Sequence, residues 1–181
     1  MTTGRDRLEK GYVQIYTGNS KGKTTAALGL AFRAMGRGMR TYIGQFMKGQ
    51  LYGELEAAKT VGEFITIEQY GENTFVHVTD PPDPKHVKMA REGFAKLEKA
   101  MISCDYDIVV ADEINTAIFF KLILVQDVLG LMDQKPDRVE LVLTGRYAPQ
   151  ELIDRADLVT EMKQIKHYFD KGVQARDGIE R

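Results

Sequence analysis

A three-layer α/β domain with a mostly parallel central sheet is the expectation for this chain of 181 residues. Three observations lead there. Short runs of β-favouring residues alternate with helical stretches, the pattern of parallel strands joined by right-handed crossovers. A glycine-broken loop carrying lysine and threonine follows the first strand run and opens the first helix, a junction at which doubly wound sheets bind phosphate. With 43% hydrophobic against 28% charged residues, a chain of this length buries about 70% of its unfolded surface, enough for one core.

In chain order, Tyr12 to Tyr16 alternates as a strand, Gly18 and Gly22 interrupt, and Thr24 to Met35 is a helix closed by Gly36 and Gly38. Arg40 to Gln45 is a strand, Glu54 to Lys59 a short helix, and Phe64 to Gln69 a third strand. Asp83 before Pro84 is an N-cap with proline at the first helical position. Behind it Val87, Ala90, Phe94, Leu97 and Met101 recur at steps of three and four, so this is the best-marked helix. Asp107 to Ala111 is a buried strand, Thr116 to Met132 one helix, Glu140 to Thr144 a strand, Pro149 to Ala156 a helix, and Leu158 to Met162 a last strand. The irregular stretches, Phe46 to Gly53, Gly71 to Pro84 and the tail from Lys163, are long enough to be functional.

Composition narrows the function. The 25 Lys and Arg against 26 Asp and Glu leave no broad positive field, so neither a nucleic acid nor a membrane is an expected partner. The single cysteine, Cys104, excludes an intrachain disulfide framework and a Cys-rich zinc site, and fits a reducing, cytoplasmic setting. No apolar run approaches the ~20 residues of a membrane span. Residues 1–10 are charged and polar, expected as a mobile N-terminal arm rather than a secretory signal, with residues 11–181 a single domain.

Thr17-Gly18-Asn19-Ser20-Lys21-Gly22-Lys23-Thr24-Thr25 has the make-up of a phosphate cradle. Between a strand and a helix, its successive N–H groups and the helix N-terminus surround phosphate oxygens. Lys23 supplies the point charge, and the Thr24 hydroxyl reaches a magnesium ion. The usual first glycine would fall at Thr17; here it is Gly18, four residues before Gly22, which suggests a variant cradle. Asp112 and Glu113 end a buried apolar strand and should emerge beside the loop, where one or both hold the ion. Arg146, after the Glu140 to Thr144 strand, would bring a guanidinium to the same edge. Arg33 lies about two and a half turns along the first helix, equally suited to a ligand contact or a surface salt bridge. Read this far, the residues also suit a nucleotide hydrolase or kinase, or a non-catalytic ATP-binding module.

TGNSKGKTTAALGLAFRAMGRG, IGQFMKG, VVADEI, LTGRYAPQELIDRADLVTEM and KHYFDKGVQARDGIE, in that order between Gly11 and Glu180, resemble the successive motifs of the P-loop type ATP:corrinoid (cob(I)alamin) adenosyltransferases. The resemblance implies a RecA-like P-loop fold, a homodimer, and transfer of the 5′-deoxyadenosyl group of ATP to the cobalt of a reduced corrinoid, cobalamin or cobinamide. It implies ATP lying reversed in the cradle, with Mg2+ or Mn2+, and an electron donor such as a flavodoxin or reduced flavin. By position, Gly18, Asn19, Ser20, Lys21, Gly22, Lys23, Thr24 and Thr25 match the family's nucleotide loop, with Ser20 where a glycine is usual. Lys23 and Thr24 match the phosphate and ion ligands, Glu113 the ion's carboxylate, and Arg33 and Arg146 basic positions of the nucleotide site. In the family an aromatic loop presses a phenylalanine and a tryptophan on the corrinoid; Phe75 matches the phenylalanine, and the chain has no tryptophan.

Overall fold

The computed structural model of the chain describes residues 7–72 and 81–181. One sheet of six strands, all parallel, runs in the order β3-β2-β4-β5-β1-β6. Its strands are β1 (Val13–Thr17), β2 (Thr41–Phe46), β3 (Ile65–Tyr70), β4 (Ile108–Asp112), β5 (Glu140–Thr144) and β6 (Leu158–Glu161). The helices are α1 (Lys23–Met35), α2 (Gly53–Thr60), α3 (Pro84–Ile102), α4 (Ile114–Phe119), α5 (Val125–Asp133) and α6 (Gln150–Arg155), and a 3₁₀ turn spans Tyr168–Lys171.

Helices on both faces explain why β2, β4 and β5 are buried along their whole length, and why β4 opens on an unbroken apolar run. On one face Ala27, Ala31 and Ala34 of α1 pack on Ile43, Ile108, Val110 and Val142. On the other, Leu97 and Met101 of α3, Ile114, Leu131 and Leu152 cover Ile15, Val109, Leu141 and Leu143. The small alanines of α1 let it lie close to the sheet. The crossover from β1 to β2 passes over β5 and β4, so the α1 N-terminus stands above the carboxyl ends of those strands. That placement sets up the site.

The Asp83 cap forms as expected, its carboxylate accepting from the Lys85 N–H at 2.8 Å. One expectation fails: Thr116 to Met132 is not one helix but α4 and α5. Lys121 turns left-handed at φ 59°, the Leu122 N–H bonds back to Ala117 O at 2.9 Å, and the Lys121 N–H to Ile118 O at 2.8 Å. This is a Schellman stop, usually marked by glycine. Stopping there buries the adjacent Leu122 and Ile123 together, which a continuous helix would carry around its axis. Within the expected arm, Arg7 donates to Cys104 O at 2.5 Å.

Candidate active site

The carboxyl ends of β1, β2, β4 and β5 present Thr17, Gln45, Asp112 and Thr144 along one edge. Above them opens a cavity of about 670 Å³, bounded by the loop before α1, by Lys48, Glu113 and Arg146, and by the end of the C-terminal tail.

Gly18 adopts φ 100°, and a Cβ on it would sit 2.4 Å from Met162 O. The displaced glycine is therefore demanded by the passage of the chain leaving β6, in addition to its backbone angle. Gly22, at φ 122°, opens α1 without a side-chain cap, leaving the first-turn N–H groups pointing outward. Lys23 is only 5% exposed, and its ammonium donates to Gly18 O and Ser20 O, both at 2.7 Å. Burial pushes this lysine below its ordinary pKa; Glu113 opposes that and Arg146 adds to it. Lys23 thus braces the loop from within.

Asp112 is fully buried. Its Oδ1 accepts from Thr24 Oγ1 at 2.9 Å and from Thr144 Oγ1 at 2.7 Å. Its Oδ2 accepts from Lys48 Nζ at 2.8 Å and Gln45 Nε2 at 3.2 Å. Four donors saturate the carboxylate, so it orients Thr24 rather than facing the cavity. Glu113 sits in left-handed backbone, φ 62°, which turns its side chain away from the strand and into the cavity wall. Its carboxylate accepts from Thr116 Oγ1 at 2.5 Å, and Thr116 in turn accepts from the Arg146 N–H at 3.0 Å. Glu113 keeps acceptor capacity that Asp112 has spent. Glu113 and Thr24 both line the cavity, and oxygen donors of this kind suit Mg2+ completed by phosphates and water.

Lys21 does not point into the cradle. Its ammonium donates to Glu180 Oε1 at 2.7 Å, Ile179 O at 2.8 Å and the Tyr168 hydroxyl at 3.3 Å. Glu180 is a hub: Arg176, then Lys21 and Tyr168, hold its carboxylate well below the usual range. The tail from Lys163, expected as irregular, is tied to the loop by this knot. Asn19 lies on the loop, Ser20 and Thr25 line the cavity, and Arg33 stands exposed in the last turn of α1, outside the lining. Phe75 falls outside the described residues.

The residue that motif reading passed over is Lys48. Its signal was present: it follows β2 at the edge where doubly wound sheets bind ligands, within the IGQFMKG stretch. Burial works against its charge, but Asp112, with Glu113 and Glu54 farther off, outweighs burial and holds the ammonium above its ordinary value. Tyr52 places its ring 5.4 Å from the same ammonium.

Residues 9–181 match the model of the family described as ATP:corrinoid adenosyltransferase BtuR/CobO/CobP. A corrinoid adenosyltransferase of Sinorhizobium sp is 38% identical over 175 residues, covering 95% of this chain and 81% of that one. The corrinoid adenosyltransferase of Escherichia coli K12 is 30% identical over 177 residues, covering 95% and 86%. Among solved structures, a KaiC-like protein of Pyrococcus horikoshii OT3 superposes with a TM-score of 0.56 at 15% identity, covering 88% of this chain and 76% of that one, a likeness of RecA-like fold. With the family model spanning residues 9–181, and relatives 30% and 38% identical over 95% of its length, this chain belongs to the BtuR/CobO/CobP family of ATP:corrinoid adenosyltransferases.

Proposed function

We propose that the cavity over the sheet edge aligns ATP so that the cobalt of a reduced corrinoid attacks the ribose 5′ carbon and tripolyphosphate leaves whole. The Co(I) lone pair forms the cobalt–carbon bond, and the pair of the broken C5′–O bond departs on the triphosphate oxygen. A Co(I) centre is itself a strong nucleophile, so no catalytic serine or histidine is called for. The protein's tasks are alignment and stabilisation of a polyanionic leaving group.

The observation that carries the reading is the convergence of Lys23, Lys48, Arg146 and the α1 N-terminus on one cavity in a chain of this family. Lys23 and Arg146 meet the phosphates, with Gly18, Asn19, Ser20, Lys21, Gly22, Thr24 and Thr25 as the cradle. Thr24 and Glu113 would hold a divalent ion, which would supply positive charge for the leaving phosphates, while Asp112 fixes the Thr24 hydroxyl. Among the described residues no helix is long and apolar enough to cross a membrane. A cytoplasmic homodimer, a flavodoxin or reduced flavin as electron donor, and Phe75 against the corrinoid belong to the same proposal.

Phosphorus NMR of a reaction with ATP, Mg2+ and chemically reduced cobalamin tests it. One tripolyphosphate per adenosylated corrinoid is expected. Stoichiometric ADP with phosphate would instead mark a nucleotide hydrolase or kinase and end the adenosyl-transfer reading.

A further inference from the structure

Lys48 occupies an unusual place. The chain leaves β2 through Met47 in left-handed backbone, φ 58°, and turns the next side chain back over the sheet edge. The turn is tightly built: a Cβ on Gly71 would lie 2.7 Å from the Lys48 nitrogen, and one on Gly49 would lie 2.4 Å from the Glu72 carbonyl. The Lys48 side chain is 17% exposed. Its ammonium stands 2.8 Å from Asp112 Oδ2 and 3.3 Å from Thr24 Oγ1. Because Thr24 gives its proton to Asp112, its oxygen accepts from Lys48 with one of its two lone pairs, and an ion on that oxygen would share it with the ammonium.

We infer that Lys48 is the resident cation of the nucleotide-free site, holding the Thr24 oxygen against a divalent ion until ATP arrives, and then moving onto the polyphosphate. The inference rests on the reading of Thr24 as an ion ligand. A magnesium ion bonds oxygen at about 2.1 Å, so an ion on Thr24 and an ammonium 3.3 Å from the same oxygen crowd two positive charges around one neutral atom. The phosphates relieve that conflict by giving the ammonium another partner, and a flexible lysine stem suits the movement. The ion is thereby admitted together with its nucleotide, which couples ion binding to ATP binding. Lys48 is a positioning residue in the free protein and a phosphate contact in the complex.

The test reads ion binding without turnover. Mn2+ binding to the nucleotide-free protein is followed by electron paramagnetic resonance for wild type, Lys48→Gln and Lys48→Arg. The glutamine amide still donates to Asp112 but carries no charge, and is expected to tighten Mn2+ binding about tenfold or more; arginine keeps the charge, and binding stays weak. Both changes lower turnover at limiting ATP. Unchanged, weaker or undetectable Mn2+ binding in Lys48→Gln overturns the inference, and tripolyphosphate release by wild type would still stand. If Lys48→Gln does not fold, the wild-type side-chain nitrogen resonance of Lys48 decides. It is expected to shift with Mg2+ and ATP together and to stay in place with Mg2+ alone; a resonance unmoved by Mg2+ and ATP overturns the inference equally.

Discussion

Gly93 lies on the buried face of α3, where an alanine has two opposing effects. Within a helix, Gly→Ala contributes about 1 kcal/mol of stability through backbone propensity. Against that, a Cβ at Gly93 would stand 2.1 Å from Cγ, 2.4 Å from Cδ2 and 2.6 Å from Cβ of Tyr70. The clash is with the root of the side chain, which cannot swing away. Tyr70 is also held at its tip by the Tyr42 hydroxyl and edge-on by Phe46 at 5.3 Å, with Gly44 leaving no room beneath the ring. Overpacking costs about 1–3 kcal/mol, and this geometry belongs at the upper end. The net loss is about 1–2 kcal/mol, or about 2–8 °C in Tm for a domain of this size. Gly29→Ala in α1 and Gly130→Ala in α5 are the controls, because a Cβ at either meets nothing within 4 Å; propensity alone then raises Tm by about 2–4 °C. Thermal unfolding followed by circular dichroism separates the three. A Gly93→Ala protein as stable as wild type, or more so, refutes the reasoning.

Two other outcomes are expected. Lys23→Ala removes both the charge proposed to meet the phosphates and the brace on Gly18 O and Ser20 O, so turnover at saturating ATP, read from the visible spectrum of the corrinoid, drops about 10²–10³-fold; wild-type turnover would remove Lys23 from the leaving-group site. Burial pushes the Tyr42 phenol up to about 12, and burial with the Tyr42 hydrogen bond raises Tyr70 as well. Raised folded values mean that the stability these phenols contribute is complete below pH 10 and falls as pH rises above it, for Tyr42 through about 12 and for Tyr70 still further. The denaturation midpoint should fall more steeply between pH 10 and 12 in wild type than in Tyr42→Phe/Tyr70→Phe, and equal slopes would contradict the assignment.

Local chemistry written in consecutive residues was legible before any fold was known. The Gly18 to Thr25 loop needs only a strand before it and a helix after it. The Asp83-Pro84 start of α3 is satisfied within three residues, and the apolar IVVA run of β4 announces burial on both faces. Lys121 shows where this reasoning stops: a Schellman turn usually carries glycine at that position, and what ends α4 is the burial of Leu122 and Ile123 against a core their own segment does not reveal.

The site divides in the same way. Asp112 and Glu113 are neighbours of one type, yet Thr24, Thr144, Gln45 and Lys48 converge on the first from separate elements, while a left-handed turn sends the second into the cavity wall. Lys21 and Lys23 are two residues apart on one loop; one is claimed by Glu180 of the tail and the other by the loop's own carbonyls. Residue type and spacing determined by themselves that a glycine-broken loop joins a strand to a helix and that two carboxylates stand at the end of a buried strand, because those signals lie within single local segments. Which carboxylate stays open, that the tail claims Lys21 and where Lys48 rests were decided only by the tertiary structure, because each depends on donors and acceptors brought together from distant parts of the chain.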